Sequence, residues 1–245
     1  MSRVEICSLA YEGKFNELTE KIELKPNLAT KLDENERMPL HWAASGGHSD
    51  IVKHLLDLGV PTDNKDDAQW TPLMIAASAG RDTIVYMLIS IGADVNSKNE
   101  GGQTPLHYAA SRNRYEVMHC SHHGLTSLLP NQQLIGREIA ELLLQSGAYV
   151  DVQDKTSAAT PLHRAASQGH SKIVKLLLNH NASCNIQDAE GNTALHMACE
   201  EDRAEIAVTL VENGASLYIE NKMNMPPVEL ANKRLARQLI RLSDS

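Results

Sequence analysis

Aromatic side chains, cysteines and long apolar stretches are all scarce in this sequence. Phe, Trp and Tyr make up 4% of the 245 residues, with a single Phe, so a core must be built from aliphatic side chains packed in thin layers. The four cysteines, Cys7, Cys120, Cys184 and Cys199, are scattered without a CxxC pair. That usage argues against a disulfide framework or a structural zinc site. No apolar run approaches the roughly 18 residues that a membrane span needs.

The charge balance further narrows the function classes. The formal net charge is −8, which argues against nucleic acid or an anionic membrane as the main partner and favours a basic partner surface. The first residues, MSRVEICSLAYEGK, include acids and no apolar segment of signal-peptide length. Together with the scattered cysteines, these features predict a cytoplasmic and nuclear protein.

One phrase recurs along the chain. Its copies are MPLHWAAS at 38–45, TPLMIAAS at 71–78, TPLHYAAS at 104–111, TPLHRAAS at 160–167 and TALHMACE at 193–200. A degenerate sixth copy, PPVELANK, starts at residue 226, and successive copies start 33, 33, 56, 33 and 33 residues apart. A period of 33 with a T-P-L-H-x-A phrase is the signature of ankyrin repeats, which this sequence therefore resembles.

Each residue of the phrase has a physical role. The Thr hydroxyl can accept a hydrogen bond from a free backbone N–H at the start of the first helix, and Pro fits the first helical position. The small Ala pair lets neighbouring helices approach closely, and the Gly after it allows a tight turn. A second helix follows with apolar spacing, as in Ile51, Val52, Leu55 and Leu56, and ends near Gly59. The polar run after each second helix is interpreted as an extended hairpin finger.

This phasing predicts an all-α ankyrin-repeat solenoid that forms a single domain over residues 1–245. It would contain seven helix-turn-helix units with hairpin loops, and the terminal units would act as caps. Helices are expected from Val4 to Tyr11 and from Lys14 to Leu24 in the N-terminal cap. One amphipathic helix, Val228 to Leu242, is expected in the C-terminal cap, with Lys233, Arg234, Arg237 and Arg241 on its polar face. The predicted units are 1–36, 37–69, 70–102, 103–159, 160–191, 192–224 and 225–245.

The third phased copy is interrupted. Twenty-two residues, 117–138, separate its first helix from the expected second helix at Ile139, and one further residue lies in DKTSAAT before Thr160. A loop in this short turn is tolerated because closure entropy grows only with the logarithm of length. A genuine lineage-specific loop and a translated in-frame intron are both open as its origin, and transcript sequencing would decide between them. The insertion also holds His119, Cys120, His122 and His123, whose spacing lacks the second ligand pair of a zinc site, so no metal is expected.

Several longer stretches resemble the gankyrin family of proteasome-associated ankyrin-repeat proteins. They are CSLAYEGKFNEL, RMPLHWAASGGHSDIV, GVPTDNKDDAQWTPL, AASAGRDTIV, TPLHYAASRNRYE, NIQDAEGNTALHMACEEDR and ASLYIENK. The resemblance implies a non-enzymatic, monomeric assembly chaperone of the proteasome regulatory particle. Its concave face would bind the C-terminal domain of one AAA ATPase subunit. The alternative that it implies is a cell-cycle regulator that binds a cyclin-dependent kinase or the retinoblastoma protein.

The concave face of such a solenoid combines finger tips with first-helix faces. The candidate partner-binding residues on that side are Arg37, Trp42, Asp66, Asp67, Trp70, Tyr108 and Arg112. Trp, Tyr and Arg are typical interface anchors, and the acidic finger residues would pair with a basic surface. The resemblance implies partner contact for Arg37 and Arg112. The alternative for Trp42 and Trp70 is that both simply pack between layers.

The remaining candidates do not indicate catalysis or a cofactor. The histidines at the fourth position of the phrase, His41, His107, His163 and His196, lie in different layers, so we expect them to bond neighbouring loop backbone rather than to converge on a substrate. P-loop, GxGxxG and GxSxG motifs are absent. Residues 197–201 match a retinoblastoma-binding Leu-x-Cys-x-Glu motif of the family except that Met197 replaces Leu. Since phasing places Cys199 at a buried helix position, a core cysteine is the favoured interpretation.

Overall fold

The computed structural model describes residues 5–112 and 139–243, and within these ranges the chain forms fourteen α-helices and no strand. The helices are α1 (Glu5–Glu12), α2 (Phe15–Leu24), α3 (Pro39–Gly46), α4 (Ser49–Asp57), α5 (Pro72–Ala79), α6 (Asp82–Ser90), α7 (Pro105–Ser111), α8 (Ile139–Gln145), α9 (Pro161–Gln168), α10 (Ser171–Asn179), α11 (Ala194–Glu200), α12 (Ala204–Glu212), α13 (Pro227–Leu230) and α14 (Lys233–Ser243). A short 3₁₀ helix, Pro26–Thr30, follows α2. The predicted insertion, 117–138, and its four candidate metal ligands lie outside the described residues.

The helices stack in two layers, as the solenoid prediction requires. The inner layer is formed by α1, α3, α5, α7, α9, α11 and α13, each packed against the next, and every inner helix packs against the outer helix of its own repeat. Helix α8 contacts α7 and α6, so it completes the repeat in which the insertion lies. The Leu and Ala positions of the repeated phrase form the core, since Leu40, Leu73, Leu106, Leu162 and Leu195 are all fully buried.

The repeated phrase starts four inner helices, α3, α7, α9 and α11, through one hydrogen-bond pattern. At Thr160, for example, the backbone N–H donates to Nδ1 of His163 at 3.2 Å, and the hydroxyl lies 2.8 Å from the same nitrogen. Nε2 of His163 lies 3.0 Å from the carbonyl oxygen of Asn192 in the next finger. Because a carbonyl oxygen only accepts, Nε2 carries the proton and Nδ1 accepts. The histidine therefore ties its own helix start to the following repeat.

Polar fingers connect successive repeats without forming strands in the described part of the chain. Backbone N–H groups bond carbonyls of the preceding finger, from Asp67 to Asn35 (3.1 Å), Glu100 to Ala68 (3.3 Å), Lys155 to Gly101 (2.7 Å), Ala189 to Ser157 (2.7 Å) and Lys222 to Glu190 (3.0 Å). The bond between residues 155 and 101 belongs to the fingers on either side of the interrupted repeat. The finger stack therefore continues in register past the insertion.

The extra residue before Thr160 lies within a finger turn. In the regular finger, the N–H of Asp66 donates to the carbonyl of Trp70, four residues on, at 2.9 Å. In the irregular one, Asp154 donates to Ala159, five residues on, at 3.0 Å. The turn absorbs the residue with Ala158 at φ 50°, in the left-handed region.

The C-terminal cap differs from the expectation of one continuous helix. Instead, α13 ends at Leu230 and α14 begins at Lys233. The side-chain oxygen of Asn232 accepts hydrogen bonds from the backbone N–H groups of Arg234 (3.0 Å) and Leu235 (2.9 Å). Because this side chain satisfies N–H groups that a new helix start leaves free, Asn232 acts as an N-cap and divides the segment.

Candidate partner-binding groove

The fingers and the inner helices together form one face, which we call the groove. The position after the His of each phrase lies on it, and Trp42, Ile75, Tyr108, Arg164 and Met197 occupy that position from α3 to α11. Ile75 is 8% exposed, whereas the other four are partly exposed. The groove thus presents two aromatic side chains and one arginine from the inner helices alone.

Trp42 is the centre of the first cluster in the groove. Its indole Nε1 donates to a carboxylate oxygen of Asp33 at 2.7 Å. The guanidinium carbon of Arg37 lies 5.2 Å from the Trp42 ring centroid, within cation–π range. The ring of Tyr11, itself 52% exposed, meets Trp42 edge-on with centroids 5.8 Å apart. The predicted residues Arg37 and Trp42 are therefore brought together, with Tyr11 as a neighbour that sequence reasoning missed.

The predicted partner contact of Asp66 does not fit the structure, because its side chain is fully buried. One carboxylate oxygen accepts hydrogen bonds from the N–H groups of Ala68 (3.1 Å) and Trp70 (2.7 Å). The other accepts from Nε of Arg37 at 2.8 Å. Asp66 therefore caps its own finger turn and positions Arg37. Its neighbour Asp67 is exposed at the finger tip and stays available to a partner.

This capping role recurs in every described finger, and four of the six capping residues, Asp66 among them, are buried. The equivalent residues are Asp33, Asp66, Asn99, Asp154, Asp188 and Asn221. In each, a side-chain oxygen accepts at least one backbone N–H from its own turn. This is the Asx-turn chemistry for which Asp and Asn are suited. The repeat spacing places Asp66, and not Asp67, at the capping position of its finger. That spacing could therefore have distinguished the buried aspartate from the exposed one.

Trp70 and Tyr108 form the second cluster. Their ring centroids are 4.4 Å apart with the planes tilted by 38°. The Tyr108 hydroxyl accepts from the side-chain amide of Asn99 at 2.8 Å and donates to Gln103. Burial raises the Tyr108 pKa above its usual value, although the Asn99 hydrogen bond acts to lower it. Trp42 and Trp70 each pack against the core, as the packing interpretation expects, and each remains partly exposed, so the anchor interpretation stays a prediction.

Arg112 lies at the opposite end of α7 from the finger. It is exposed and is the last residue of the described range 5–112. Beside it, the carbonyl oxygen of Ser111 lies 3.3 Å from Nε2 of His170 in the next repeat. Arg37, Trp42, Trp70 and Tyr108 thus cluster near the fingers, whereas Arg112 stands apart at the far edge of the groove.

Sequence reasoning also missed an arginine–aspartate pair in the fourth copy of the phrase. Nη2 of Arg164 donates to the buried carboxylate of Asp154 at 2.5 Å. Burial acts to raise the Asp154 pKa, but hydrogen bonds from the Ser157 backbone, the Arg164 guanidinium and Thr156 lower it to about 2. The pair therefore stays ionised and extends the charged part of the groove. The extra residue in this finger places Asp154 six rather than five residues before its phrase, so the repeat phase did not mark the pair.

The phrase histidines are structural, as expected. Each places Nε2 against the carbonyl oxygen of the next finger: His41 at Asn64 (3.1 Å), His107 at Ala159 (3.2 Å), His163 at Asn192 (3.0 Å) and His196 at Met225 (3.1 Å). Burial lowers their pKa values, that of His107 to about 4. Across residues 5–112 and 139–243, no group of three His, Cys, Asp or Glu side chains is arranged to hold a metal ion.

Of residues 197–201, Met197 to Glu200 belong to α11 and Glu201 caps its C-terminus, so the segment is not extended. Cys199 is 1% exposed within α11, and burial raises its thiol pKa to about 12. This confirms the core position inferred from phasing. A pocket that takes up an extended Leu-x-Cys-x-Glu peptide could reach Cys199 only after local unfolding of α11.

None of the helices in the described ranges is long and apolar enough to span a membrane.

Comparison with known proteins gives the same fold. A family model for ankyrin repeats matches residues 7–99 and 133–221. The ankyrin repeat domain of Bcl-3 superimposes with a TM-score of 0.74 at 25% identity and covers 96% of this chain and 97% of its own. That of human ASB11 gives 0.77 at 24% identity, over 97% and 96% of the two chains. The chain is thus an ankyrin-repeat protein, built as a stack of helical repeats.

Proteins with similar sequences show which family of ankyrin-repeat proteins the chain resembles. The probable 26S proteasome regulatory subunit p28 of Saccharomyces cerevisiae is 32% identical over 231 residues, which cover 91% of each chain. The 26S proteasome non-ATPase regulatory subunit 10 of Homo sapiens is 51% identical over 71 residues, and that of Mus musculus is 52% identical over the same length. These mammalian matches span 29% of this chain and 31% of the relatives. The chain belongs to the gankyrin family of ankyrin-repeat proteins, which includes yeast p28.

Proposed function

We propose that this protein is a non-enzymatic assembly chaperone of the proteasome regulatory particle. It acts as a monomer in the cytoplasm and nucleus, and its groove binds the C-terminal domain of one AAA ATPase subunit. The single observation that carries the proposal is the pair of clusters, Arg37 with Trp42 and Trp70 with Tyr108, in the groove of a chain similar to p28 along 91% of its length. A scaffold role also fits the phrase histidines, each of which is hydrogen-bonded to a carbonyl of the following finger.

The groove offers the groups that stabilise protein interfaces. Trp70 and Tyr108 present a rigid aromatic platform, and Arg37 is held over Trp42 by the buried carboxylate of Asp66. A preformed arginine loses less conformational freedom on binding than a free one, so more of its interaction energy appears as affinity. Trp, Tyr and Arg are the residue types that carry most of the energy of interfaces.

The charges of the groove favour a partner surface of mixed sign. The exposed tips of the first three fingers are acidic, through Glu34, Glu36, Asp67 and Glu100. Arg37 lies beside these tips, and Arg112 lies at the far edge of the groove. A partner would therefore present basic side chains to the fingers and carboxylates to the two arginines. Rim charges of this kind act mainly on association rate and specificity.

The test is a binding panel of the six isolated C-terminal domains of the proteasomal ATPases. We expect selective capture of one domain and weakening of that capture by Arg112→Glu, an exposed position where folding is undisturbed. Arg37→Glu should act in the same direction, with circular dichroism checking that loss of the Asp66 partner leaves the fold intact. Lys175→Glu on the outer helix α10, where the side chain is 52% exposed, makes the same charge change away from the groove.

Capture of all six domains equally, or of none, would contradict the proposal. So would equal weakening by Lys175→Glu and Arg112→Glu, since that would mean net charge rather than the groove determines binding. A cyclin-dependent kinase included in the panel tests the alternative partner class. Selective capture of the kinase alone would replace the chaperone proposal with the cell-cycle one.

A further inference from the structure

We propose that the exposed face of α14 is a second docking surface, which binds an acidic helical segment of a partner protein. The basic face consists of Lys233, Arg234, Arg237 and Arg241, all exposed. It lies in the C-terminal cap, where α14 packs against α12 through the buried side chains of Leu235 and Leu239. The inference is independent of the function proposed for the groove.

The basic face is not explained by ion pairing within the described part of the chain. Other cations there do have carboxylate partners, such as Lys21 with Glu5 at 2.8 Å and Arg37 with Asp66 at 2.8 Å. None of the five ion pairs found among the described residues involves α14. Four cations on one helix that have no carboxylate partner among residues 5–112 and 139–243 stand out in a chain whose formal net charge is −8.

Helix stability does not explain the basic face either. Lys233 and Arg234 occupy the first turn of α14, where the positive end of the helix dipole disfavours cations. Lys233, Arg237 and Arg241 are spaced four residues apart, so like charges repel along one side of the helix. Of the four cations, the helix dipole favours only Arg241, which lies in the last turn of α14. Their placement therefore points to an interaction outside the chain.

The geometry favours an acidic helix as the occupant. Side chains four residues apart on a helix are separated by about 6 Å along its axis. Carboxylates at the same spacing on a partner helix would meet Lys233, Arg237 and Arg241 in register. Ile240, which is 41% exposed beside this row, adds an apolar contact.

Two other classes of anionic partner fit the surface less well. The apolar side chains Leu235 and Leu239 are buried in the cap, so α14 has no apolar face to insert into a membrane. The helix contains no aromatic residue on which bases could stack. An acidic peptide segment requires neither feature.

The experiment measures fluorescence anisotropy of a labelled helical peptide whose glutamates recur every fourth residue, titrated with the full-length protein. A peptide with glutamine in place of glutamate is the reference. The variant Lys233→Gln, Arg237→Gln, Arg241→Gln removes three charges from the basic face. Lys25→Gln, Lys31→Gln, Lys98→Gln makes the same change in net charge at exposed positions elsewhere.

We expect the α14 variant to bind the glutamate peptide about tenfold more weakly, and the matched control to stay within about twofold of the original chain. Binding should also weaken as ionic strength rises from about 0.02 M to about 0.2 M. Equal loss in both triple variants, or no preference for glutamate over glutamine, would overturn the proposal. Tighter binding to phosphatidylserine vesicles or to poly(U) than to the peptide would overturn it as well. None of these outcomes bears on the groove.

Discussion

Replacement of Asp66 by asparagine separates the two roles that the structure gives this side chain. Asparagine keeps an oxygen for the N–H groups of Ala68 and Trp70, but it presents an amide nitrogen or a neutral oxygen to Arg37. Asn99 occupies the same finger position and accepts the N–H of Gln103 at 2.9 Å, so the turn tolerates asparagine. The Asp66→Asn variant should therefore keep its finger turn and lose the ion pair.

The magnitude follows from the bonds that are lost. A hydrogen bond between charged groups contributes about 1.5–3 kcal/mol. The Arg37 side chain is 28% exposed and can recover water, so we expect the lower part of this range, about 1.5–2 kcal/mol, for Asp66→Asn. Asp66→Ala also removes the acceptor of two backbone N–H groups at about 1 kcal/mol each, for a total of about 3–4 kcal/mol.

The assay is urea denaturation followed by circular dichroism at pH 7. Asp67→Asn is the matched control, because this neighbouring side chain is exposed, and it should stay within about 0.5 kcal/mol of the original chain. Combining Asp66→Asn with Arg37→Gln should give a coupling energy of about 1–2 kcal/mol between the two positions. The reasoning is refuted if Asp66→Asn changes the free energy of unfolding no more than Asp67→Asn, or as much as Asp66→Ala.

Three further predictions concern backbone strain, protonation and thiol reactivity. Ala158→Gly should raise the free energy of unfolding by about 1 kcal/mol, because Ala158 has a left-handed φ of 50° that glycine adopts without strain, as Gly191 does at the equivalent position with φ 78°. A lower thermal midpoint would contradict this. The phrase histidines are neutral when folded, whereas in the unfolded chain a histidine side chain binds a proton below its pKa near 6.5. The free energy of unfolding should therefore fall from pH 6.5 towards pH 4, with His107 alone contributing about 2–3 kcal/mol. His107→Gln should flatten that dependence in chemical denaturation measured across the pH range, and an unchanged slope would speak against it. Burial raises the thiol pKa values of Cys7, Cys184 and Cys199, so these thiols should resist N-ethylmaleimide at pH 7 in the folded protein. If mass spectrometry finds Cys199 alkylated as fast in the folded protein as in urea, its core position is contradicted.

The repeated phrase was sufficient to predict where the inner helices begin. Thr or Met followed by Pro sets the start of α3, α5, α7 and α9, and the histidine bonds expected from phasing are all present. These features depend on short-range chemistry that repeats every 33 residues, so several copies report the same structure. The division of the C-terminal cap at Asn232 was missed because a capping asparagine and a polar-face asparagine look alike in an amphipathic pattern.

The groove was only partly predictable. Arg37 and Trp42 were predicted for the same face but not as a contacting pair, and the buried carboxylate that holds Arg37 was assigned to the surface because acidic finger residues are usually exposed. Arg164 was overlooked because its partner Asp154 lies in the one finger with an extra residue, which shifts it out of phase. Which side chains pair across neighbouring repeats depends on how the repeats stack in three dimensions. The sequence of a single finger does not show these pairs.

Hydrogen–deuterium exchange on the complex with the captured ATPase C-terminal domain tests the central claim most directly, since it reports which face is covered. We predict protection of fingers and inner helices in residues 33–46, 66–79 and 99–111, with exchange unchanged in the outer helices α4, α6 and α10. Protection of the outer helices, with the groove exchanging as in the free protein, would contradict the account.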